Sequence, residues 1–317
     1  MALDELARGL SDLSRVGLTP ELAEKLGIRD ADVTRGRLMA QLDDDKAHLG
    51  VYLLVCYVVD DTDFWGDGEI YWWSIPALVD GDGKVTRDPL GALPTGMPPH
   101  KVGSLEWMTN LSLAAPPLLA MIPPDDSIAS CVIRLAVYDD DEKPADLPAS
   151  ITAGLEAYAG ISKGPHDGPE NIITPVRDAI WQRLQADQDD ILIDQDLVLR
   201  RGESVNFHRG MLGSIVNAMA RVYYFVQDES KTERFGPVNL HKGQIETVTF
   251  KHKLEGGGRL ALFARGATVT CSAFGELDTD MPFMNKIIDS HHESALSDGF
   301  NVAGTGPAKF VAYYTRP

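Results

Sequence analysis

Two apolar segments of the chain each run directly into a cluster of aspartates. The clusters are Asp60, Asp61, Asp63 and Asp67 after residues 51–59, and Asp139–Asp141 after residues 131–138. Two carboxylates about 4 Å apart repel each other by roughly 4 kcal/mol at an effective dielectric constant of ~20. If neighbouring strands deliver both clusters to one rim of a sheet or sandwich, that rim needs either open water or a bound cation. The sequence therefore predicts a site, without specifying a reaction.

Calcium is the cation that these loops favour. Their candidate ligands are all oxygens, and no histidine or cysteine within the loops favours zinc. An EF-hand is excluded for residues 61–72, because Trp65 and Trp72 occupy places where the motif requires oxygen ligands. We therefore predict a Ca²⁺ site of another kind, with solvated acidic loops as the alternative.

The two loops resemble those of the calcium- and phospholipid-binding C-two family, found in protein kinase C and synaptotagmin. In that family a first loop carries two aspartates six positions apart, which Asp61 and Asp67 reproduce here. Its third loop follows a strand that ends in Val-x-Asp-x-Asp, which Val137, Asp139 and Asp141 reproduce here. The resemblance covers residues 50–146 and implies an antiparallel β-sandwich that binds Ca²⁺ at these loops.

The resemblance also implies which other residues contribute to the site. Asp146 is placed as the later acid of the third loop. After Asp146 the sequence departs from the family, since a helical insertion of residues 147–186 precedes the return strand, to which Asp190 belongs. Trp65, between Asp61 and Asp67, is the expected contact with a membrane or protein partner, because tryptophan favours the lipid head-group level.

Composition limits the classes of function. The 317 residues carry a net charge of −18, which opposes nucleic-acid binding and simple adsorption to anionic lipid. No secretory segment or membrane-spanning apolar run is visible, which favours a cytoplasmic protein or one exported by a non-classical route. Cys56, Cys131 and Cys271 lie in apolar strand-like segments and are interpreted as buried packing residues.

Hydrophobic periodicity predicts a mainly β fold with helical additions. We expect a helical N-terminal appendage (1–45), a calcium-binding β-sandwich (46–199) with the helical insertion at about 147–186, and a second, smaller antiparallel β-sandwich (200–317). In the appendage, Thr19 and Pro20 indicate the start of a helix.

Several local expectations can be checked against a structure. Pro76 cannot donate a ladder hydrogen bond, so its strand is expected at an edge or bent there. Alternation over residues 128–138 predicts a strand buried on one face only. Thr174 and Pro175 indicate the start of the second inserted helix, residues 281–296 are read as a helix, and residues 211–226 fit either helix or strand.

Three functions remain open at the sequence level. The first is ion-dependent attachment to an anionic phospholipid surface or a protein partner. The second is a hydrolase that uses the acidic rim with or without a bound metal, although no nucleophile elbow, P-loop or HExxH motif is present. The third is a structural or effector component of a larger assembly. Binding is favoured over catalysis, and no catalytic residue is assigned.

Overall fold

The fold is that of a computed structural model of the chain. The model describes separate segments, which contain most of the predicted strands. The described residues are 20–26, 49–59, 68–85, 95–102, 106–109, 118–122, 127–139, 147–184, 190–200, 211–216, 219–228, 231–277, 283–289, 296 and 299–317.

Strands outnumber helices among these segments, which confirms the mainly β fold with helical additions. The helices are α1 (Pro20–Leu26), α2 (Leu147–Gly160) and α3 (Glu170–Leu184). The first strands are β1 (Leu49–Val58), β2 (Gly68–Asp80), β3 (Lys84–Val85), β4 (Thr95–Val102), β5 (Glu106–Thr109), β6 (Leu118–Ile122), β7 (Ile128–Asp139), β8 (His166–Asp167), β9 (Asp190–Arg200), β10 (Met211–Val216) and β11 (Ala220–Asp228). The later ones are β12 (Thr232–Leu240), β13 (Ile245–Val248), β14 (Arg259–Gly266), β15 (Val269–Cys271), β16 (Gly275–Leu277), β17 (Phe283–Ile287), β18 (Phe300–Gly304) and β19 (Ala308–Thr315).

The N-terminal strands form two antiparallel sheets that pack face to face. Sheet A has the order β10-β11-β1-β5, with β6 also beside β1, and sheet B has the order β8-β3-β2-β7-β9, with β4 also beside β2. Alternate residues of β1 and β7, such as Val51 and Ile133, are fully buried in the core between the sheets. This core is the one that the period-two apolar pattern of the sequence predicts.

Helices α2 and α3 cover the second face of sheet B. Tyr138 of β7 lies in this core and stacks on Tyr71 and Trp73, with ring centroids 5.2 and 6.2 Å apart. The expectation that β7 is buried on one face only is therefore wrong. Period-two alternation reports which residues share a face, but it cannot reveal that the inserted helices close the other face.

Pro76 lies in a central strand, not at an edge as expected. The ladder between β2 and β7 runs without irregularity through the pair Pro76 and Ile133. On the other side of β2, pairing with β4 stops at Ser74 and pairing with β3 involves Val79. Among the described residues, no strand pairs with Pro76 on that side of β2, where a missing N–H costs no ladder hydrogen bond.

Helix α3 begins at Glu170, one turn earlier than Thr174 and Pro175 indicated. Its first turn follows Pro169, whose carbonyl accepts hydrogen bonds from the N–H groups of Ile172 (3.0 Å) and Ile173 (2.9 Å). Proline is favoured at the start of a helix because its missing N–H has no intrahelical partner there. Pro169 was the correct signal, and Pro175 lies inside the helix.

The C-terminal strands form a second antiparallel sandwich. Sheet C has the order β12-β19-β14-β17 and sheet D the order β13-β18-β15-β16. Buried side chains such as Leu262 and Phe310 fill the core between them. The helix expected over residues 281–296 is wrong for Phe283–Ile287, which pairs with β14 as a strand.

Sheets A and C are joined by a small aromatic core on their outer faces. Phe225 of β11 lies 6.2 Å from Phe263 and 5.9 Å from Tyr313, measured between ring centroids. Met211–Val216 and Ala220–Asp228 therefore belong to sheet A as strands, although the sequence pattern places them in the second sandwich of residues 200–317. Their own sequence fits either helix or strand, so only pairing with β1 fixes their place.

The predicted burial of the cysteines is confirmed. Cys56, Cys131 and Cys271 are buried free thiols, and burial raises the pKa of each thiol to about 12. Helix α1 begins at Pro20 as predicted, and its Leu22 is buried in the core beneath α2 and α3. Within the described segments, no helix combines the length and apolarity needed to cross a bilayer.

Candidate functional site

The ends of β1 and β7 and the starts of β2 and β9 lie at one end of the first two sheets, here called the acidic rim. Asp139 of β7 pairs with Ile70 of β2 on one side and with Asp190 of β9 on the other. Strand β6 pairs Ile122 with Leu49, and residues 123–127 connect it to the start of β7. The starts of β1 and β7 therefore share the opposite end, and both loops predicted to bind Ca²⁺ leave from the acidic rim.

Asp139 is the one predicted ligand whose side chain the structure describes. Its surface is 0% exposed, although it is the last residue of β7. A Cβ built on Gly68 would lie 2.6 Å from each carboxylate oxygen of Asp139. The carboxylate thus occupies the space that a side chain at position 68 would fill, and Gly68 is required for that close approach.

Gly68 is a site residue that the sequence analysis did not identify. Its local signal was the glycine between Asp67 and Glu69 at the start of an aromatic strand. Glycine inside a strand pattern often marks the close approach of another group. The partner of this contact, however, is more than seventy positions away in sequence, so its identity follows only from the pairing of β2 with β7.

The other predicted site residues are described only in part. Asp190 is the first residue of β9, with its backbone opposite Asp139. The predicted residues Asp61, Trp65, Asp67, Asp141 and Asp146 lie outside the described residues. Within the described part of the chain, no three His, Cys, Asp or Glu side chains form a group that could hold a metal. Completion of a Ca²⁺ site therefore depends on the loops.

Asp139 meets one requirement of such a site. Hard oxygen ligands of this type are those that Ca²⁺ takes in proteins. Asp139 lies where one acidic loop leaves β7, beside the first residue of β9. This position is compatible with a calcium ligand that strand pairing holds in place.

The acidic residues further along β9 have a different role. Arg134 of β7 forms ion pairs with Asp194 (Nη1–Oδ1, 3.1 Å) and Asp196 (Nε–Oδ1, 2.8 Å). Arg134 and Asp196 are direct partners in the ladder. These aspartates stabilise a cross-strand charge cluster, so the acidic run after α3 divides between the rim and this cluster.

A turn at the other end of β2, away from the acidic rim, also contains acidic residues, and their role is structural. Asp80 Oδ1 accepts hydrogen bonds from the N–H groups of Asp82 (2.9 Å) and Lys84 (2.8 Å). Gly83 has φ of +78°, as this tight turn into β3 requires. The acidic residues of this turn are therefore explained by local backbone geometry.

Comparisons with known proteins give no family for the chain. No protein-family model and no curated protein matches it. Among solved structures, human GIVD cytosolic phospholipase A2 in complex with methyl gamma-linolenyl fluorophosphonate and terbium chloride matches with a TM-score of 0.26 and 7% identity, over 86% of this chain and 32% of that chain. A second structure of that enzyme with the same inhibitor matches with a TM-score of 0.25 and 8% identity over the same shares.

This chain therefore spans about a third of the length of the phospholipase it matches. At such TM-scores the likeness implies neither a common fold nor a common activity. The C-two-like character of residues 50–146 stays a resemblance in the sequence.

Proposed function

We propose that the acidic rim binds Ca²⁺ and that the loaded rim attaches the protein to an anionic membrane surface or a protein partner. The observation that carries the proposal is the buried Asp139 carboxylate seated on Gly68, at the rim from which both acidic loops leave. Asp61, Asp67, Asp141, Asp146 and Asp190 complete the proposed ligand set. Calcium supplies positive charge where the chain concentrates negative charge.

The binding energetics explain why attachment depends on the ion. A chain with a net charge of −18 is repelled by anionic head groups when its rim carries no cation. A bound Ca²⁺ offers free coordination positions to phosphate or carboxylate, and it lowers the negative charge that the rim presents within about 8 Å, the screening length at physiological salt. Ion binding thereby weakens the repulsion and supplies a direct bridge to the head group.

Thermal unfolding with and without Ca²⁺ tests the ion site. An ion that binds only the folded protein adds about 2.7 kcal/mol at a hundredfold excess over its Kd. We expect Ca²⁺ to raise the Tm of the wild type, and Asp141→Asn alone, or together with Asp139→Asn, to abolish that rise. The single variant leaves the buried position intact, which separates loss of binding from loss of folding.

Asp82→Asn is the matched control. It removes one exposed carboxylate from the turn at the opposite end of β2 and is expected to retain the full calcium response. Equal Tm values in millimolar Ca²⁺ and in chelator for the wild type would contradict the ion site.

Sedimentation with liposomes tests the attachment. We expect the protein to sediment with phosphatidylserine liposomes in Ca²⁺, to remain in solution in chelator, and to bind less at high salt or after Trp65→Ala. Sedimentation that persists in chelator would exclude ion-dependent attachment. Calcium uptake without liposome binding would instead direct the search to a protein partner.

A further inference from the structure

The ends of β12 and β14 and the start of β19 surround an open recess in the second sandwich. Its volume is about 380 Å³, within the range of roughly 300–1,000 Å³ typical of small-molecule sites. Its exposed wall is mainly apolar, and the residues that line it include the polar Asn239, His241, Arg265 and Lys309 and the buried Leu240 and Ala308. We call the four polar residues and the space between them the cationic recess.

Strand pairing places the two cations side by side. Lys309 of β19 is the direct cross-strand partner of Arg265 in β14 and of Asn239 in β12. Direct partners in an antiparallel pair project from the same face with Cβ atoms about 4.5–5.5 Å apart. Two like charges in this arrangement destabilise the sheet, so the row Asn239, Lys309, Arg265 has a cost that the fold alone does not explain.

Two other strand cations of the described chain lie in ion pairs. Arg134 lies between two aspartates, and Lys84 pairs with Asp167, which raises the pKa of Lys84 and lowers that of Asp167. Within the described residues, neither Arg265 nor Lys309 forms such an ion pair. The recess therefore carries a local positive charge on a strongly acidic protein.

We propose that the cationic recess binds a phosphate-bearing ligand. The guanidinium of Arg265 provides a planar fork that matches two phosphate oxygens, and the ammonium of Lys309 provides a point charge beside it. Asn239 and His241 add donors from the neighbouring strand end. Two cations and two further donors suit a dianionic phosphate monoester better than a single carboxylate, which one fork satisfies.

Titration with inorganic phosphate in chelator tests this site independently of the calcium rim. We expect saturable binding in calorimetry that weakens as salt concentration rises, because both cations are exposed. Arg265→Ala and Lys309→Ala should each raise the Kd about tenfold, as expected for the loss of a charge-assisted hydrogen bond. Arg265→Lys should give an intermediate Kd, because it retains the charge but loses the fork.

Lys286→Ala is the matched control, since Lys286 is an exposed cation of sheet C on β17, away from the recess. It should leave the Kd unchanged. A Kd that Arg265→Ala and Lys309→Ala do not change, or one that Lys286→Ala changes equally, would overturn the proposal. So would the absence of binding to both inorganic phosphate and phosphorylated vesicles.

Vesicles distinguish the two sources of the phosphate. If the ligand is a lipid head group, vesicles that contain phosphatidylinositol 4-phosphate should bind in chelator, whereas phosphatidylcholine vesicles should not, and Arg265→Ala should abolish binding. If the ligand is a soluble phosphate ester, inositol phosphates should bind in calorimetry while both vesicles fail to sediment the protein. Either result supports the recess, and calcium dependence plays no part in them.

Discussion

The acidic rim and the cationic recess are built in opposite ways. At the rim, charge is concentrated in loops that follow long strands, and one carboxylate, that of Asp139, is buried against Gly68. In the recess, the charges are strand residues, exposed and distant in sequence, which pairing brings into one row. The rim is visible as runs of aspartate, whereas no local pattern marks the recess.

The two regions differ in what would determine the specificity for a ligand. A rim of loops can adapt its ligands around an ion, as Ca²⁺ coordination allows. A row of strand residues has fixed spacing, which suits a ligand of fixed shape such as phosphate. The two regions also differ in their support: sheet B has helices on its second face, while sheet C has the aromatic contact with sheet A.

Phe225→Ala is expected to have the largest effect on stability. It tests whether the first sandwich, which carries the acidic rim, and the second sandwich, which carries the cationic recess, unfold together. Phe225 is 1% exposed, and it joins sheet A to Phe263 and Tyr313 of sheet C. Truncation of a buried phenylalanine costs about 3–5 kcal/mol. Thiol labelling during urea unfolding should follow one transition in the wild type and two in the variant, with Cys131 and Cys271 reporting on different regions.

A single transition in Phe225→Ala would show that other contacts couple the regions. Trp181→Ala provides a comparison, because Trp181 packs on Tyr138 in the helical layer and does not lie between sheets A and C. That variant should lower stability without separating the labelling of the two cysteines.

Gly68→Ala should have the next largest effect and sharpens the description of the rim. The new Cβ would lie 2.6 Å from both oxygens of Asp139, so the carboxylate must move. Overpacking of this kind costs about 1–3 kcal/mol. Urea unfolding should show that loss, and calcium should stabilise the variant less than the wild type. Gly81→Ala is the control, because a Cβ there meets nothing within 4 Å.

Alkaline pH should destabilise both sandwiches, and it should destabilise the first sandwich more than the second. Burial raises the thiol pKa from 9.0 to about 12, so between these values the unfolded thiols ionise while the folded ones keep their protons. Folding therefore weakens as pH rises, by about 1.4 kcal/mol for each thiol at pH 10. Below pH 9 this contribution is fully present.

Chemical denaturation between pH 8 and pH 10 measures this effect. Cys56→Ala with Cys131→Ala should remove more of the pH dependence than Cys271→Ala, because two of the three thiols lie in the first core. An equal slope of the unfolding free energy against pH in all variants would show that other groups determine the alkaline limit.

Lys309→Ala should have the smallest effect on stability, with the opposite sign. Removal of one of two opposed cations relieves a repulsion of roughly 0.2–1 kcal/mol, so the phosphate-free variant should unfold at slightly higher urea. Phosphate should raise the Tm of the wild type and leave that of the variant nearly unchanged. A variant that is destabilised in the absence of phosphate would indicate that Lys309 has a structural role in sheet C.

The sequence by itself determined much of the local structure. The predominance of strands, the two inserted helices and the burial of the cysteines all follow from periodicity and residue type. These features depend on near neighbours, and near neighbours are what a sequence pattern records. The concentration of aspartate at strand ends was visible for the same reason.

Only the tertiary structure decided which strands meet and which faces are covered. Pro76 lies in a central strand at a position with which neither β3 nor β4 pairs, and β7 is buried on both faces because α2 and α3 cover it. The contact of Gly68 with Asp139 and the row of Asn239, Lys309 and Arg265 arise from strand register. Register is set by burial of whole faces and closure of long connections, which no local pattern contains.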